Sequence, residues 1–416
     1  MPGDKSVSHR AIIFNSLASG SSTVTNLSPG RDCLSTIRCL RALGVRIKEQ
    51  EFEPLTFSIQ GVGNTGFAEP ENILNAGNSA TTMRLLGGLL ASQAFLSIMT
   101  GDTSLRSRPM RRLIEPLKLM GAEIYGRGND AFAPLVIRGG GLCGIKYSLP
   151  VPSAQIKSAI LLAGLFAQGD TIIKQPVPSR DHTERLLRLM RADISNSGND
   201  VSVKPLVTTL TPVDVHIPGD ISSAAYWLVA GAIHPDARIR IIKCGMNPTR
   251  TGIIDVLLAM GARLKIENHR FEGNEPVADI CVESSRLKSI EISKEIIPRL
   301  IDEIPVLVVA ACAAKGNTII RDASELRIKE SDRIMTVAHE LSRLGAKIEE
   351  MPDGMVVYGG QSLTGSVVNS HADHRLAMSL AVAGLVAEGE TIIRNAGVVE
   401  ISYPDFWMEL ERLTSN

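Results

Sequence analysis

The feature that most limits how this chain can fold is one unit written six times. A capped apolar helix, then Gly and a β-branched run, occurs as SVSHRAIIFNSLASGSSTVTN, SAQIKSAILLAGLFAQGDTIIKQ, IDEIPVLVVAACAAKGNTIIRD and ADHRLAMSLAVAGLVAEGETIIRN. Looser copies are NSATTMRLLGGLLASQAFLSIMTG and ISSAAYWLVAGAIHPDARIRIIK, and the six begin near Gly3, Gly77, Ser153, Gly219, Asp302 and Asp373. A second helix recurs, closing on Leu-Gly or Met-Gly ahead of a strand, in CLSTIRCLRALGVRIK, MRRLIEPLKLMGAEIYG, IIDVLLAMGARLKI and IMTVAHELSRLGAKIEE, with a degenerate copy in HTERLLRLMRADIS. Gly after Leu stops a helix in the left-handed conformation, and the alternating run that follows reads as a strand. Each repeat is therefore about 70 residues of helix, strand, helix and strands. Six of them make two α/β domains of three repeats each, since 416 residues exceed what one core ordinarily holds. The first helix of each unit is apolar on nearly every face and is expected inside its domain.

The sixth unit lacks the strand that should follow YPDFWMELERLTSN, and the first begins at its helix cap without a leading strand. The repeat count thus leads us to expect a segment ahead of Met1 that pairs with the last repeat.

Composition removes several classes. Aromatic residues are only 4% and no basic run carries interleaved aromatics, which argues against a base-stacking nucleic-acid surface. Lys+Arg and Asp+Glu are both 44, so attraction for an anion has to come from local clustering. Six cysteines form no CxxC pair and no zinc-like spacing, and they read as reduced thiols of a cytoplasmic protein. The longest apolar runs, such as IPVLVVAACAA, fall well short of the ~20 residues that cross a bilayer.

The clustering is found at the repeat starts. Helix N-termini concentrate unsatisfied N–H groups and partial positive charge, so they take phosphate and carboxylate readily. Lys5, Ser6, His9 and Arg10 open the first repeat, Asn78, Ser79, Thr81 and Arg84 the second, Ser153, Gln155 and Lys157 the third, and Asp373, His374 and Arg375 the sixth. Any one alone could be an ordinary cap; four loaded alike point to one anionic ligand set in a cleft between the domains. Lys329, Glu330, Asp332 and Arg333 crowd another helix start in LRIKESDRI, where Glu330 and Arg333 form either a surface ion pair or a proton carrier beside an anion clamp. Asp302, in LIDEIPVL, reads as a cap or as a general base. Arg106 and Arg108 in SLRSRP, and Ser179 with Arg180 in PSRDHTE, add donors from loops.

Two motifs mislead. GVGNTG (Gly61 to Gly66) fits GxGxxG by letter, but a proline follows in FAEPENI where the phosphate-binding helix should run. HADH (His371, Asp373, His374) offers metal-ligand types, yet no other cluster stands out to complete a sphere, so no metal and no cofactor are expected.

PGDKSVSHR, GNSATTMR, LRSRPM, SAQIKSA, SRDHTE, PGDISSAA, IDEIPVL, LRIKESDRI and DHRLAM follow one another over nearly the whole chain. In this order they closely resemble the 5-enolpyruvylshikimate-3-phosphate synthase family of enolpyruvyl transferases. The resemblance implies two domains, each of three βαβαββ repeats with buried parallel helices, an inside-out α/β barrel, closing like a clam. It puts the boundaries at 4–217, mainly the shikimate 3-phosphate side, and 218–416 with 1–3, mainly the phosphoenolpyruvate side. It implies transfer of the enolpyruvyl group of phosphoenolpyruvate to the 5-hydroxyl of shikimate 3-phosphate, with Asp302, Glu330 and Lys5 as proton carriers. Phosphoenolpyruvate would meet Lys5, Asn78, Arg106, Gln155, Lys329, Arg333, His374 and Arg375. Shikimate 3-phosphate would meet Lys5, Ser6, Arg10, Ser153, Gln155, Ser179, Arg180, Asp302 and Lys329. Arg84 would support the Asn78 turn. Small-molecule partners, a monomer, and no nucleic acid or membrane are expected.

The chain departs from the family at two positions. Ala80 stands where many members have Gly, which should narrow the phosphoenolpyruvate pocket against the competitive inhibitor glyphosate. Ile401 stands where some members carry a phosphate-binding Lys. The rival readings are the sister transferase acting on UDP-N-acetylglucosamine, for which Cys143 in GGGLCGIKY is the nearest candidate nucleophile, and a non-catalytic α/β repeat scaffold.

Overall fold

The computed structural model describes residues 1–64 and 66–415. By density of internal packing it divides into two units. The first comprises Gly3–Ile217 with Glu272–Glu275, and the second comprises Met1–Pro2, Pro218–Phe271 and Pro276 onward.

In the first unit the helices Lys5–Leu17, Ala80–Leu90 and Ala154–Gly164 bury nearly every side chain. Helices with no polar face need a core on all sides, and three together supply it. The last two approach so closely that a Cβ on Gly88 would lie 2.3 Å from the carbonyl oxygen of Ala159, which only glycine allows. Around them stand three four-stranded sheets with one shared order: a short strand runs parallel to the strand after the core helix, and two antiparallel strands complete the sheet. In the second repeat these are Leu74–Asn75, Leu96–Thr100, Phe132–Arg138 and Glu123–Gly126. The third repeat uses Lys146–Ser148, Thr171–Lys174, Asp200–Val203 and Ile194–Ser197. The first repeat's sheet takes its short parallel strand, Val215–His216, from the far end of the unit, set against Ser19–Thr25. Burial alternates along the strands, as at Phe132–Arg138, so one face meets the helices.

The second unit repeats the scheme with Ile221–Ile233, Ile304–Ala313 and His374–Gly384 as its buried helices. Its sheets, among the described residues, are Arg238–Gly245 with Glu275–Glu283 and Arg263–Glu272, a four-stranded sheet containing Asn317–Ile320, and the parallel pair Val367–Asn369 and Ile392–Arg394. Trp227 stacks on Phe406 with ring centroids 5.2 Å apart and donates to the Tyr403 hydroxyl, pinning the C-terminal helix Phe406–Thr414 to this core.

The outer helices Arg31–Ala42, Arg111–Leu119, Gly252–Ala259 and Arg333–Arg343 each lead into a glycine at positive φ, namely Gly44, Gly121, Gly261 and Gly345. In the degenerate copy, His182–Leu189, the equivalent turn is made by Arg191 at φ 65°. GVGNTG begins inside the antiparallel strand Glu53–Val62, not at a strand-to-helix turn, and its Thr65 lies outside the described residues. Among the described residues no helix is long and apolar enough to cross a membrane.

Candidate active site

The six buried helices share an electrostatic oddity: none has an acidic residue in its first turn. Lys5, Lys157 and Arg375 stand at or near three of these starts instead. A helix start already carries partial positive charge, so adding cations there favours an anionic ligand.

In the first unit, Asp4 caps the helix Lys5–Leu17 by accepting from the Val7 amide at 2.9 Å. Lys5, the next residue, reaches Asp32 Oδ2 at 3.1 Å. Arg10, one turn on and buried, donates to the Ser6 carbonyl (2.9 Å), to Thr183 Oγ1 (2.7 Å) and to Ser158 Oγ (2.7 Å). Its guanidinium therefore ties together the first repeat and both helices of the third. His9 Nδ1 lies 2.7 Å from Thr36 Oγ1, which continues to Thr82 Oγ1 and then Ser79 Oγ. Burial, with Lys5 and Arg10 nearby, pushes the His9 imidazole well below its ordinary pKa, so it sits neutral in this hydroxyl chain.

Asn78 precedes the Ser79 cap. Its amide donates to Asp102 Oδ2 at 2.7 Å, and its carbonyl oxygen accepts from Arg108 Nη2 at 3.2 Å. Asp102 also caps the short helix Thr103–Ser107. That helix leaves Arg106 exposed, 3.5 Å from Thr103 Oγ1, and turns the buried Arg108 onto Asn78. Arg84 donates to Gln155 Oε1 and to the Pro109 carbonyl, while Gln155 Nε2 donates to Thr81 Oγ1 at 2.8 Å. The second and third repeat starts are thus joined by Arg84 and Gln155. Ala80, the first residue of its helix, is buried beside the Ser79 cap.

Ser153 caps the third helix. Behind it Lys157, fully buried, pairs with Glu184 at 2.6 Å and donates to the Ser179 carbonyl at 3.2 Å. Burial lowers the Lys157 pKa, opposed by Glu184. Ser179 is held a second time, its amide and hydroxyl both donating to Gln175 Oε1. Arg180, next in the chain, is half-buried.

In the second unit Asp302, Lys329, Glu330, Arg333, Asp373 and Arg375 form one charged network. Arg333 is buried and meets Asp373 Oδ2 through Nε at 2.8 Å, Asp373 Oδ1 through Nη2 at 3.2 Å and Glu330 Oε2 at 2.6 Å. Its Nη1 lies 3.6 Å from Asp302 Oδ1. Lys329 donates to that same Asp302 oxygen at 3.3 Å, and Arg375 donates to the Asp302 carbonyl at 3.2 Å. Burial opposes the charge on Arg333, but Asp373 and Glu330 outweigh it and raise its pKa. Arg375 is raised likewise, burial opposing its charge and Asp302, with Tyr226, Glu303 and Asp220, outweighing it. His374 opens the helix His374–Gly384, buried next to Asp373, whose carboxylate caps that helix through the Arg375 amide.

The ligand-contact residues expected from the sequence divide between the two units. Lys5, Ser6, Arg10, Asn78, Arg106, Ser153, Gln155, Ser179 and Arg180 belong to the first unit. Asp302, Lys329, Glu330, Arg333, His374 and Arg375 belong to the second. The geometry adds Arg108, which the sequence offered only as one of two like-charged neighbours, and Glu184, whose pairing with Lys157 leaves no short-range signal. Ile401 ends a 3-10 helix, Ala396–Ile401, and is half-buried. Cys143 lies exposed at an isolated bridge to Gln168.

The family model of EPSP synthase (3-phosphoshikimate 1-carboxyvinyltransferase) matches residues 1–410. The chain is similar to the 3-phosphoshikimate 1-carboxyvinyltransferase of Herpetosiphon aurantiacus, 52% identical over 415 residues, covering 99% of this chain and 96% of that protein. It is 51% identical over 414 residues to the protein of the same name from Bacillus thuringiensis, covering 100% and 96%. Among solved structures, an EPSP synthase from Acinetobacter baumannii superposes with a TM-score of 0.87 at 44% identity, covering 99% of this chain and 94% of that one.

Proposed function

The chain belongs to the EPSP synthase family, and from that premise we propose how its two sets of polar helix starts divide the reaction. The enzyme is a 3-phosphoshikimate 1-carboxyvinyltransferase of aromatic amino-acid biosynthesis. It transfers the enolpyruvyl group of phosphoenolpyruvate to the 5-hydroxyl of shikimate 3-phosphate and releases phosphate.

In the addition step the ring oxygen bonds to C2 of phosphoenolpyruvate, loses its proton, and C3 gains one. In the elimination step C3 gives a proton back, the C2–O bond to phosphate breaks, and the double bond re-forms. We assign the hydroxyl proton to Asp302 and the C3 proton to Glu330, with Lys5 assisting both steps. Lys329, Arg333, His374 and Arg375 stabilise the departing phosphate, whose charge cations offset. Asn78, Gln155 and Arg106 complete the phosphoenolpyruvate contacts, and we add Arg108 because it is the arginine seated on Asn78. Ser6, Arg10, Ser153, Ser179 and Arg180 take shikimate 3-phosphate, so the first unit is mainly its side and the second mainly that of phosphoenolpyruvate.

The observation that carries these roles is the crowding of Asp302 by Lys329 and Arg333 while Glu330 leans on Arg333. An incoming phosphate that draws both cations to itself leaves less positive charge beside Asp302, which favours its taking a proton. Binding the donor thus readies the base for the acceptor.

Phosphate release from phosphoenolpyruvate tests the reading. Release is expected with shikimate 3-phosphate and absent with UDP-N-acetylglucosamine, and the reverse pattern overturns it. Asp302→Asn should lower turnover by a factor of roughly 100 to 10,000, the usual range for a lost acid or base. We read the working form as a cytoplasmic monomer, which light scattering on the purified chain checks for oligomeric state.

A further inference from the structure

Away from the charged network of Asp302 and Arg333, the second unit gathers two imidazoles on one carboxylate oxygen. His339 and Glu340 are neighbours on the helix Arg333–Arg343, and His371 lies just past the strand Val367–Asn369 at φ 50°. His339 Nδ1 is 2.9 Å and His371 Nε2 2.7 Å from the same Glu340 Oε1. The three ligand-type atoms lie within 4.8 Å of one another.

The surroundings hold this set in place. Glu340 is buried, and its other oxygen accepts the Asn369 amide at 2.9 Å. Asn369 Oδ1 in turn accepts the His371 amide at 2.9 Å, fixing the left-handed turn that aims the ring. Outer partners of this kind orient metal ligands. A cavity of about 160 Å³ lined by Glu340, Asn369 and His371, though not by His339, leaves room for a water or a further ligand beside two of the three.

We propose that His339, Glu340 and His371 form a binding site for a divalent transition-metal ion. Two imidazole nitrogens and one carboxylate oxygen suit zinc, copper, nickel or cobalt, whereas calcium and magnesium ask for oxygen donors. Zinc bonds of about 2.0–2.2 Å at tetrahedral angles set neighbouring ligand atoms roughly 3.3 Å apart. The nitrogen–oxygen separations therefore need to open by about half an ångström, a side-chain adjustment. Both rings now point an N–H at Oε1 when neutral. On binding, each would carry its proton on the other nitrogen, and a neutral ring needs no net proton release. Arg343 and Arg394 line the same cavity, so the fourth position favours an anion such as hydroxide or a carboxylate.

The inference does not depend on the transferase reading, and its test needs no turnover. The full chain, stripped with a chelator, is titrated with zinc chloride by calorimetry and with cobalt chloride by visible absorbance. The wild type and a control at an exposed histidine, His234→Ala, should bind one ion per chain with a cobalt spectrum of nitrogen and oxygen ligation. His339→Ala and His371→Ala should each weaken binding about tenfold or more. No binding by the wild type, or equal binding by His371→Ala, overturns the site. Both histidines are partly exposed, so these variants leave the buried Glu340 in place and should fold.

Discussion

Arg333 grips Asp373 at two points inside the second unit, Nε to Oδ2 at 2.8 Å and Nη2 to Oδ1 at 3.2 Å, with both side chains buried. The pair joins the helix Arg333–Arg343 to the start of the helix His374–Gly384, which Asp373 also caps. Removing one partner leaves a charge in the interior, so Asp373→Asn should cost about 3–5 kcal/mol, read as a lower urea midpoint. Burial works against the Asp373 charge, but Arg333 prevails and holds the carboxyl below its usual pKa. A depressed folded-state pKa gives stability that is fully present above the unfolded value, about 3.9, and is lost as pH falls through the folded value. Asp373→Asn should remove that part of the acid sensitivity.

Arg106 and Arg108 are the same residue type two positions apart, yet only Arg108 is buried against Asn78. A charge-assisted hydrogen bond is worth about 1.5–3 kcal/mol. Arg108→Ala should therefore lower kcat/KM more than tenfold, and Arg106→Ala should lower it less. Equal losses, or the larger loss at Arg106, would return the role to Arg106.

His9 supplies a second pH dependence, in a different window. Its folded-state pKa lies well below the ordinary value through burial and the nearby Lys5 and Arg10. Above about pH 6.5 the ring is neutral in both states. As pH falls below that, the unfolded chain takes a proton that the folded one refuses, and stability drops by up to about 1.4 kcal/mol per pH unit. Urea midpoints between pH 7.5 and 5.5 should fall less steeply in His9→Gln, which keeps a group able to bond Thr36.

Ala80 opens its helix buried between the Ser79 cap and the core. Ala80→Gly removes one methyl there and should make the enzyme more sensitive to glyphosate, seen as a lower inhibition constant against phosphoenolpyruvate. Unchanged inhibition would show that the methyl does not reach the pocket.

The helices were legible because their punctuation is chemical. Leu-Gly or Met-Gly marks stops at Gly44, Gly121, Gly261 and Gly345, all at positive φ. Where the glycine is missing, the chain still makes the turn with Arg191, which the repeat reveals and the single position does not. The polar clusters were legible as residue types crowded at helix starts. Their pairings were not, because Arg333 and Asp373 lie 40 residues apart and no local pattern links them. Arg108 was hidden for the opposite reason: an identical neighbour stood two residues away, and only the helix Thr103–Ser107 separates their directions. His371 was weighed with Asp373 and His374, its neighbours in HADH, whereas the fold sets it against His339 and Glu340 some 31 residues earlier.

The short strand Val215–His216 gives the first unit a consequence for its assembly. It lies alongside Ser19–Thr25, and the Thr23 amide donates to Asp214 across 191 residues at 2.7 Å. An open stack of repeats can be lengthened, shortened or folded from either end. This unit cannot: the sheet of its first repeat keeps a bare edge until its last strand has left the ribosome. Cutting this unit short would therefore strip a strand from its first sheet, not only from its last.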